Sequence, residues 1–502
     1  MQEVLLGIDI GTSACKIAAF HTDGTVLAQA GAGYTVQYPR QGWAEQDPED
    51  WWQAVCRAMQ EIWEAGVRPA DVCGIGIDGQ SWSAVPVDGT GQVLCNTPLW
   101  MDTRSVDICE EMCRQVGEET LFRTSGNPVQ PMYAMPKVLW YQKNLPDVYK
   151  RIHKVLQSNG FIAYRLTGSL SQDISQGYGW NCFDIASCRW DEALCRELGV
   201  EPAILPELVA CHQVVGTVTE EAARQTGLCP GTPVVAGGLD AACGTLGVGV
   251  IDVGQTQEQG GQAGGMSICT DHSVPDRRLI LSTHVVPGRW LLQGGTVGGS
   301  GCLKWFAQEF GAADQEAARQ QGLNVFEALS SAVDGISAGA EGLRFLPYMS
   351  GERSPIWDPK AKGVFYGVDF SKTRAHFARA VMEGVALSLR HNLEVAAEAG
   401  AAVDIMYAMG GAANSEVWTQ IKADVTGKRI LVPSADTATA LGAAILAGVG
   451  TGAYADFSQA VTATVHTRRT HEPNPANRAV YDRAYEDYLN LYNNLKSQMK
   501  EA

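Results

Sequence analysis

The first residues that could do chemistry stand in a turn between two apolar strands near the start of the chain. Residues 4–8 predict a strand that delivers Asp9, and Gly11-Thr12-Ser13 forms a turn before a second strand at residues 17–20. Backbone N–H groups of such a turn can hold phosphate oxygens, and Asp9 beside them could hold Mg²⁺. Walker and Rossmann loops must lead into a helix, so this order excludes both. The alternative is an ordinary glycine hairpin.

Three further places bring a carboxylate or glycines to the end of an element. Asp240 follows a buried strand at residues 233–238 and opens a small-residue helix, where it could act as an N-cap. A second glycine turn at residues 260–265 is either a phosphate cradle or a flexible loop. Gly410-Gly411 stands between a strand and a helix, and by itself it is typical of a helix-capping turn near Asn414.

The elements that must position these residues alternate between strand and helix. Asp47 followed by Pro48 predicts a helix that begins at Pro48 with Asp47 as its N-cap. Residues 74–77 predict a buried strand that ends in Asp78. From Asn474 the chain predicts a polar helix that packs across the surface.

The second half of the chain restarts the first, because a glycine turn again leads into a meander of strands without a helix between them. The sequence therefore predicts an α/β protein of two domains, residues 1–250 and 251–502, which face each other across a cleft.

Composition and charge limit the classes of partner. A formal net charge of −17 argues against nucleic acid or an anionic membrane, and no apolar run approaches the ~20 residues of a membrane helix. The 14 cysteines show no zinc spacing, and the start Met-Gln-Glu-Val lacks a basic secretory region. We therefore expect a cytoplasmic protein with reduced thiols.

A long, spaced pattern in the second half resembles the C-terminal signature of the FGGY carbohydrate kinases. It consists of Gly363-Val364-Phe365-Tyr366-Gly367-Val368, His376-Phe377 and Ala380-Val381-Met382-Glu383. Other segments similar to that family are residues 43–52, 98–104, 345–359 and 410–418. The resemblance covers nearly the whole chain and is strongest to the xylulokinase branch. It implies the actin-like ATPase fold, in which two ribonuclease H-like α/β domains flank a catalytic cleft for ATP and sugar.

The resemblance also implies roles for the candidate residues. Asp240 matches the catalytic base, which accepts the proton of the sugar hydroxyl as the oxygen–phosphorus bond forms. Asp9 matches the residue that holds Mg²⁺. The residues implied to contact ATP and its phosphates are Gly11, Thr12, Ser13, Gly261, Gln262, Gly264, Gly410, Gly411 and Asn414. Xylulokinases carry a Thr-Ser pair in the second turn, where this chain has Gln262-Ala263, and the Gln262 amide could replace the lost hydroxyl.

The sugar-binding positions depart from the family pattern. The residues implied to face the sugar are Gln80, Ser81, Trp82, Trp100, Asp102 and Asp240. Xylulokinases typically carry Gln-Met-His where this chain has Gln80-Ser81-Trp82, so a histidine is lost and an indole is gained. A hydroxyl left unpaired by this change would be strongly discriminated against. Trp100 and Asp102 also have structural alternatives: an indole in the core and an acid that pairs with Arg104.

We therefore expect an ATP- and Mg²⁺-dependent kinase that phosphorylates a hydroxyl of a ketopentose such as D-xylulose. The alternatives are a different FGGY acceptor (L-ribulose, L-xylulose, gluconate, erythritol or glycerol) or a nucleotide-binding regulator that has lost transfer. The expected partner is a small-molecule sugar or polyol, and the resemblance is compatible with a homodimer.

Overall fold

Each half of the chain is built on a seven-stranded sheet. The computed structural model describes residues 3–434 and 437–501. The strands of the first half are β1 Val4–Ile10, β2 Ala14–His21, β3 Val26–Gly33, β4 Glu45–Gln46, β5 Val72–Gly79, β6 Val85–Val87, β7 Thr97–Pro98, β8 Lys154–Leu156, β9 Ser171–Asp173, β10 Phe183–Asp184, β11 Arg189–Trp190, β12 Glu207–Val209, β13 Val214–Thr217, β14 Pro233–Val235 and β15 Gly238–Leu239. Those of the second half are β16 Gln255–Gly260, β17 Gly264–Thr270, β18 Ile280–Thr283, β19 Trp290–Gly294, β20 Arg344–Leu346, β21 Val364–Tyr366, β22 Ile405–Met409, β23 Arg429–Pro433 and β24 Thr467–His471.

Helices cover the two sheets and pack between them. In chain order the α-helices are α1 Pro48–Glu64, α2 Val106–Val116, α3 Glu118–Ser125, α4 Ala134–Asn144, α5 Pro146–Tyr149, α6 Ser158–Thr167, α7 Glu192–Glu197, α8 Glu220–Thr226, α9 Asp240–Gly247, α10 Gly301–Glu309, α11 Ala312–Gln321, α12 Val325–Asp334, α13 Arg374–Glu398, α14 Glu416–Thr426, α15 Ala438–Thr451, α16 Phe457–Thr464 and α17 Arg478–Glu501. None of the helices in the described ranges is long and apolar enough to cross a membrane.

The two sheets share one topology. The first has the order β13-β14-β5-β1-β2-β3, with β15 also beside β5, and the second has the order β18-β19-β17-β16-β22-β23-β24. β1 pairs antiparallel with β2 and parallel with β5, and β16 pairs in the same way with β17 and β22. The strand, turn and strand predicted at both glycine turns are therefore confirmed, as is the two-part α/β architecture.

Local sequence signals set the entry of α1. The Asp47 side chain accepts a hydrogen bond from the Glu49 N–H at 2.9 Å, and Pro48 occupies the first helical position. Both predictions are confirmed. Trp51 and Trp52 then lie fully buried between α1 and its neighbours, so the helix is held by its apolar face as well as by its cap.

Helix α15 belongs to the second half of the chain but packs on the first sheet. A Cβ atom built on Gly7 of β1 would lie 1.9 Å from the Ala440 carbonyl oxygen, so helix and strand touch through their backbones. Helix α9 packs on α15 with similar closeness, since a Cβ on Gly247 would lie 1.8 Å from the Ala438 oxygen. The domain boundary near residue 250 stays a prediction. Packing crosses it, because α15 of the second half lies on the sheet of the first half.

The C-terminal helix α17 is more deeply packed than its polar sequence predicts. Tyr481 and Tyr488 are fully buried, and the Tyr348 hydroxyl donates to the Tyr488 hydroxyl. The predicted polar helix that packs across the surface is confirmed as α17, and its buried face places tyrosines in the core around α13. Their hydroxyl groups find partners there, which removes the cost of burying them.

The close contact between α9 and α15 gives a stability prediction. We expect Gly247→Ala to lower the free energy of unfolding by about 2 kcal/mol, since the new methyl group would overlap the α15 backbone. Gly244→Ala on the same helix is the matched control, because its Cβ would lie 3.4 Å from Thr439 Oγ1, an ordinary contact. Urea unfolding measures both variants, and equal stabilities would contradict the close packing.

Candidate active site

Three aspartates converge where strands of the first sheet end. Asp9 on β1 is in register with Asp78 on the parallel strand β5, and Asp78 is in register with Gly238 on β15. Asp240 follows β15 as the first residue of α9. Because the carboxyl ends of parallel strands meet at one edge of a sheet, this pairing brings the three carboxyl groups together.

Burial raises the pKa values of all three groups, and repulsion by neighbouring carboxylates adds to the rise at Asp78 and Asp240. Burial, with the charge of Asp9 as the second cause, raises the pKa of Asp240 to about 7. Burial also raises the pKa of Asp9, although the Asp78 side chain and the charge of Lys16 oppose the rise. Asp78 is fully buried, and burial with the charges of Asp9 and Asp240 holds its pKa well above the usual range. Burial and these two charges therefore disfavour the ionised form of Asp78.

The sequence analysis saw Asp78 as the end of a strand but missed it as a site residue. Within the described ranges, neither carboxyl oxygen of Asp78 has a hydrogen-bond partner. The available signal was an acid at the end of a buried strand. Its register with Asp9 is fixed by pairing between distant segments and could not be read locally.

Asp240 does not cap its helix. Leu239 occupies the N-cap position without a side-chain cap, and Asp240 Oδ1 accepts a hydrogen bond only from the adjacent Ala241 N–H, at 2.7 Å. The N-cap alternative is therefore wrong. Nothing in the start of α9 requires a carboxylate at this position, which leaves its oxygen atoms available to the cleft.

The first glycine turn is braced from outside by two polar side chains. Trp100 Nε1 donates to Thr12 Oγ1 at 2.9 Å, and Gln46 Nε2 donates to the Thr12 carbonyl oxygen at 2.8 Å. In the described chain the N–H groups of Thr12 and Ser13 have no acceptor. Trp100 is 36% exposed, so the alternative that placed its indole in the core is wrong. Gln46, which the sequence analysis did not single out, is fully buried beneath the turn.

The second glycine turn docks on the start of α10. The carbonyl oxygens of Gly261 and Gln262 accept N–H groups of Ser300 and Gly301, at 2.9 and 3.0 Å. The Gly264 N–H already donates to the Thr296 carbonyl oxygen at 3.0 Å. This bond contradicts the prediction that the Gly264 backbone donates to a phosphate. The backbone N–H groups of the turn that could still do so are those of residues 261–263.

A cavity of about 710 Å³ opens beside the second turn. The predicted nucleotide residues that line it are Gly261, Gln262, Gly411 and Asn414. Gly410 lies behind its wall with a φ of 83°, and a side chain there would approach the Gly260 carbonyl oxygen at 2.9 Å. The neighbouring Ser415 caps α14 through the Trp418 N–H, so the turn is both a helix cap and a cavity wall. The opposite wall, on α12, was not predicted from the sequence.

A second cavity of about 160 Å³ lies between the two halves, and we call it the acceptor chamber. Its first-half wall contains Ser81, Trp82 and Tyr178 next to Leu239 and Ala241, the neighbours of Asp240. The polar and aromatic side chains of its second-half wall are Gln257, Gln259, Ser267, Gln293, Arg353, Ser354 and Trp357. Ser81 and Trp82 were predicted to face the sugar, whereas the whole second-half wall was missed.

The backbone of Trp82 is held in a left-handed conformation, with a φ of 55°. Lys137 Nζ donates to the Trp82 carbonyl oxygen at 2.8 Å, and the indole packs edge-on against Tyr133 and Tyr178. Lys137 is fully buried, and this burial lowers its pKa to about 7. A non-glycine residue in this conformation persists only when its surroundings hold it, so these contacts fix the chamber wall.

Two predicted sugar-binding residues lie behind the chamber. Gln80 is buried, and its Nε2 donates to Gln46 Oε1 at 3.2 Å. Asp102 is fully buried and accepts hydrogen bonds from the Arg104 guanidinium and from the Ala44 N–H, the latter at 2.7 Å. These bonds favour the alternative in which Asp102 pairs with Arg104 over direct contact with a sugar.

Two sheets of matching topology, with acidic strand ends on the first and a nucleotide-sized cavity beside the second, form the architecture of the actin-like ATPase fold. Two family models match the chain: the FGGY family of carbohydrate kinases, N-terminal domain, over residues 4–247, and the C-terminal domain over residues 269–451. The chain belongs to the FGGY family of carbohydrate kinases. This membership makes it an ATP-dependent sugar kinase by class.

Individual relatives match over nearly their whole length. The chain is 31% identical to the xylulose kinase of Bacillus subtilis, over 99% of this chain and 98% of the relative. It is 27% identical to the gluconokinase of Bacillus licheniformis, over 99% and 97%. The crystal structure of xylulose kinase from Rhodospirillum rubrum is similar with a TM-score of 0.91 at 32% identity, covering 99% of this chain and 100% of that one.

The buried position of Asp102 predicts a stability role that can be separated from substrate binding. We expect Asp102→Ala to lower the free energy of unfolding by about 3 kcal/mol, because it leaves the buried Arg104 charge without a full partner. Glu192→Ala, which breaks an exposed pair with Arg196, is the control and should change it by less than about 0.5 kcal/mol. Unchanged unfolding of the Asp102 variant, with a raised acceptor KM, would instead support a direct sugar contact.

Proposed function

We propose that this protein transfers the γ-phosphate of ATP to a hydroxyl group of a ketopentose such as D-xylulose. The observation that carries the proposal is the Asp240 carboxyl, which stands between Leu239 and Ala241 of the acceptor chamber with a pKa raised to about 7. A carboxylate of that basicity, free of structural duties, is suited to accept a proton at neutral pH.

The sugar hydroxyl must give up its proton as its oxygen forms the bond to phosphorus. A sugar hydroxyl is far too weak an acid to be ionised by Asp240 beforehand, so its proton moves as its oxygen bonds to phosphorus. The raised pKa makes Asp240 a stronger proton acceptor than an ordinary carboxylate. Closure of the two halves over the cleft would exclude water, which otherwise competes with the sugar for the phosphoryl group.

Phosphate binding is assigned to the free donors of the two turns. The N–H groups of Thr12 and Ser13 have no acceptor in the described chain, and the Thr12 hydroxyl already accepts from Trp100, so its own proton is free to donate. Gln262 lines the nucleotide cavity and supplies an amide where xylulokinases have a hydroxyl. Gly411 and Asn414 also line that cavity and are assigned to the nucleoside.

Mg²⁺ is assigned to the edge of the first sheet, where the residues fit it. Asp9 lies beside a buried acid, Asp78, whose oxygens have no hydrogen-bond partner among residues 3–434 and 437–501, and carboxylate oxygens are ligands that Mg²⁺ prefers. Asp9 would hold the ion, and the buried Asp78 lies next to it on β5. When bound, Mg²⁺ would neutralise charge on the phosphates during transfer.

The acceptor is the least constrained part of the proposal. Relatives named xylulose kinase support a ketopentose. Trp82 favours a second candidate, a different FGGY acceptor such as gluconate, because its indole fills space and offers one donor where xylulokinases have histidine. A regulator that has lost transfer is disfavoured, since Asp9 and Asp240 are both present with perturbed pKa values.

The cellular setting is also a proposal. All 14 cysteines are free thiols, which supports a reducing compartment, and we propose the cytoplasm. The homodimer remains a prediction of the family resemblance.

An acceptor panel tests the proposed function. ADP release with ATP, Mg²⁺ and each of D-xylulose, L-xylulose, L-ribulose, gluconate, erythritol and glycerol should single out one acceptor. Asp240→Asn should lower kcat by at least about 100-fold, the usual contribution of a general base, while ATP affinity measured by calorimetry stays within twofold. If the wild-type protein binds ATP but releases no ADP with any of these acceptors, the proposed phosphoryl transfer is rejected.

The pH profile tests the state of Asp240. Below a pH of about 7 the carboxyl is protonated and cannot accept the hydroxyl proton, so kcat/KM for the acceptor should rise about tenfold per pH unit and level off above 7. The charged groups that face Asp240 are Asp9 and Asp78, with Lys16 near them. A profile that is flat from pH 5 to 8 would contradict the base assignment.

A further inference from the structure

One cationic side chain of the cleft has no role in the transfer described above. Arg353 is exposed to the acceptor chamber, and it is the only charged residue among the described residues that line it. In the described chain its guanidinium donates no hydrogen bond to another residue and forms no ion pair. The neighbouring Glu352 acts on the guanidinium through its charge without an ion-pair contact, and its carboxylate accepts from the Thr296 hydroxyl, the Val297 N–H and the Arg353 backbone N–H.

The loop around Arg353 is anchored on both sides, so the guanidinium is presented by a fixed backbone. Glu352 and Ser354 are buried, and Ser354 Oγ accepts the Gly295 N–H at 2.6 Å. Asn392 Nδ2 donates to the Ser354 carbonyl oxygen at 3.2 Å. A binding group held in this way loses little conformational freedom when a ligand arrives.

The surroundings of the guanidinium leave room for a ligand. A Cβ built on Gly295 would lie 3.4 Å from one terminal nitrogen of Arg353, so the side chain rests over a glycine backbone that has no side chain of its own. Gly264 and Gly265, next to the second glycine turn, line the same chamber, and Trp82 lies on its opposite wall. Desolvation of the guanidinium lowers the pKa of Arg353, yet arginine stays charged at any working pH.

We propose that Arg353 is an oxyanion-binding residue of the acceptor chamber, which pairs with a carboxylate or phosphoryl group of a bound reactant. A guanidinium matches two oxygens of such a group with parallel hydrogen bonds, and no neutral sugar offers that partner. One source is the carboxylate of a sugar acid used as acceptor, and the other is the phosphoryl group on its way to the sugar. The inference rests on the proposed function only in calling the cavity an acceptor chamber.

Anion binding by the nucleotide-free full chain tests the site directly. Wild-type protein, Arg353→Met and Arg353→Lys are titrated with inorganic phosphate, with D-gluconate and with neutral D-xylulose, and binding is followed by calorimetry. We expect Arg353→Met to weaken binding of at least one anion by about 10- to 100-fold, the range of a charge-assisted pair, and Arg353→Lys to weaken it less. D-Xylulose affinity should change by less than twofold.

The two sources give different results. Loss confined to gluconate identifies an acceptor carboxylate, and loss confined to phosphate identifies the phosphoryl group. Arg319→Met, which removes an exposed arginine on α11, controls for the change in net charge, and thermal unfolding checks that each variant is folded. Equal binding of both anions by wild type and Arg353→Met, including no binding by either, would overturn the proposal.

The outcome is separable from the fate of the proposed function. If the wild-type protein phosphorylates an acceptor but Arg353→Met binds both anions as the wild type does, the site is rejected and the kinase assignment stands. If anions bind through Arg353 while the wild-type protein phosphorylates nothing, the site stands and the kinase assignment is rejected.

Discussion

The mutual repulsion of three carboxyl groups at one edge of the first sheet is the constraint on which the rest of the site depends. The register of β1, β5 and β15 forces Asp9, Asp78 and Asp240 together, and burial makes their shared charge costly. A cation at Asp9 would relieve that cost. Burial, with the charge of Asp9 as the second cause, raises the pKa of Asp240 to about 7, which makes it a stronger base than an ordinary carboxylate.

The position of that base depends on how closely two helices approach. Helices α9 and α15 touch through backbone atoms at Gly247 and Gly442, and α15 touches β1 and β5 through Gly7 and Gly76. Helix α15 comes from the second half of the chain. Its packing therefore joins the sheet edge that carries the three carboxyl groups to the half that contains the nucleotide cavity. Small residues at this crossing therefore fix the distance between the proton acceptor and the phosphate turns.

The acceptor chamber joins walls of different character. The first-half wall is rigid and aromatic, because Lys137 holds the Trp82 carbonyl group and Tyr133 and Tyr178 enclose its indole. The second-half wall is polar and carries Arg353 on an anchored loop. Since the two walls belong to different halves, movement of one half against the other would change how tightly the acceptor is held.

The sequence by itself determined the elements whose signals are local: the Asp9 strand and turn, the Asp47 cap of α1, the repeat of the meander and the strand before Asp240. Motifs quoted from the chain were also enough to identify the family. Only the tertiary structure decided that Asp78 joins Asp9, that Asp102 is held by Arg104, that Trp100 braces Thr12 and that Arg353 faces Trp82 across a chamber. Each of these depends on strand register or packing between segments far apart in the chain, and no local pattern of residues encodes such a contact.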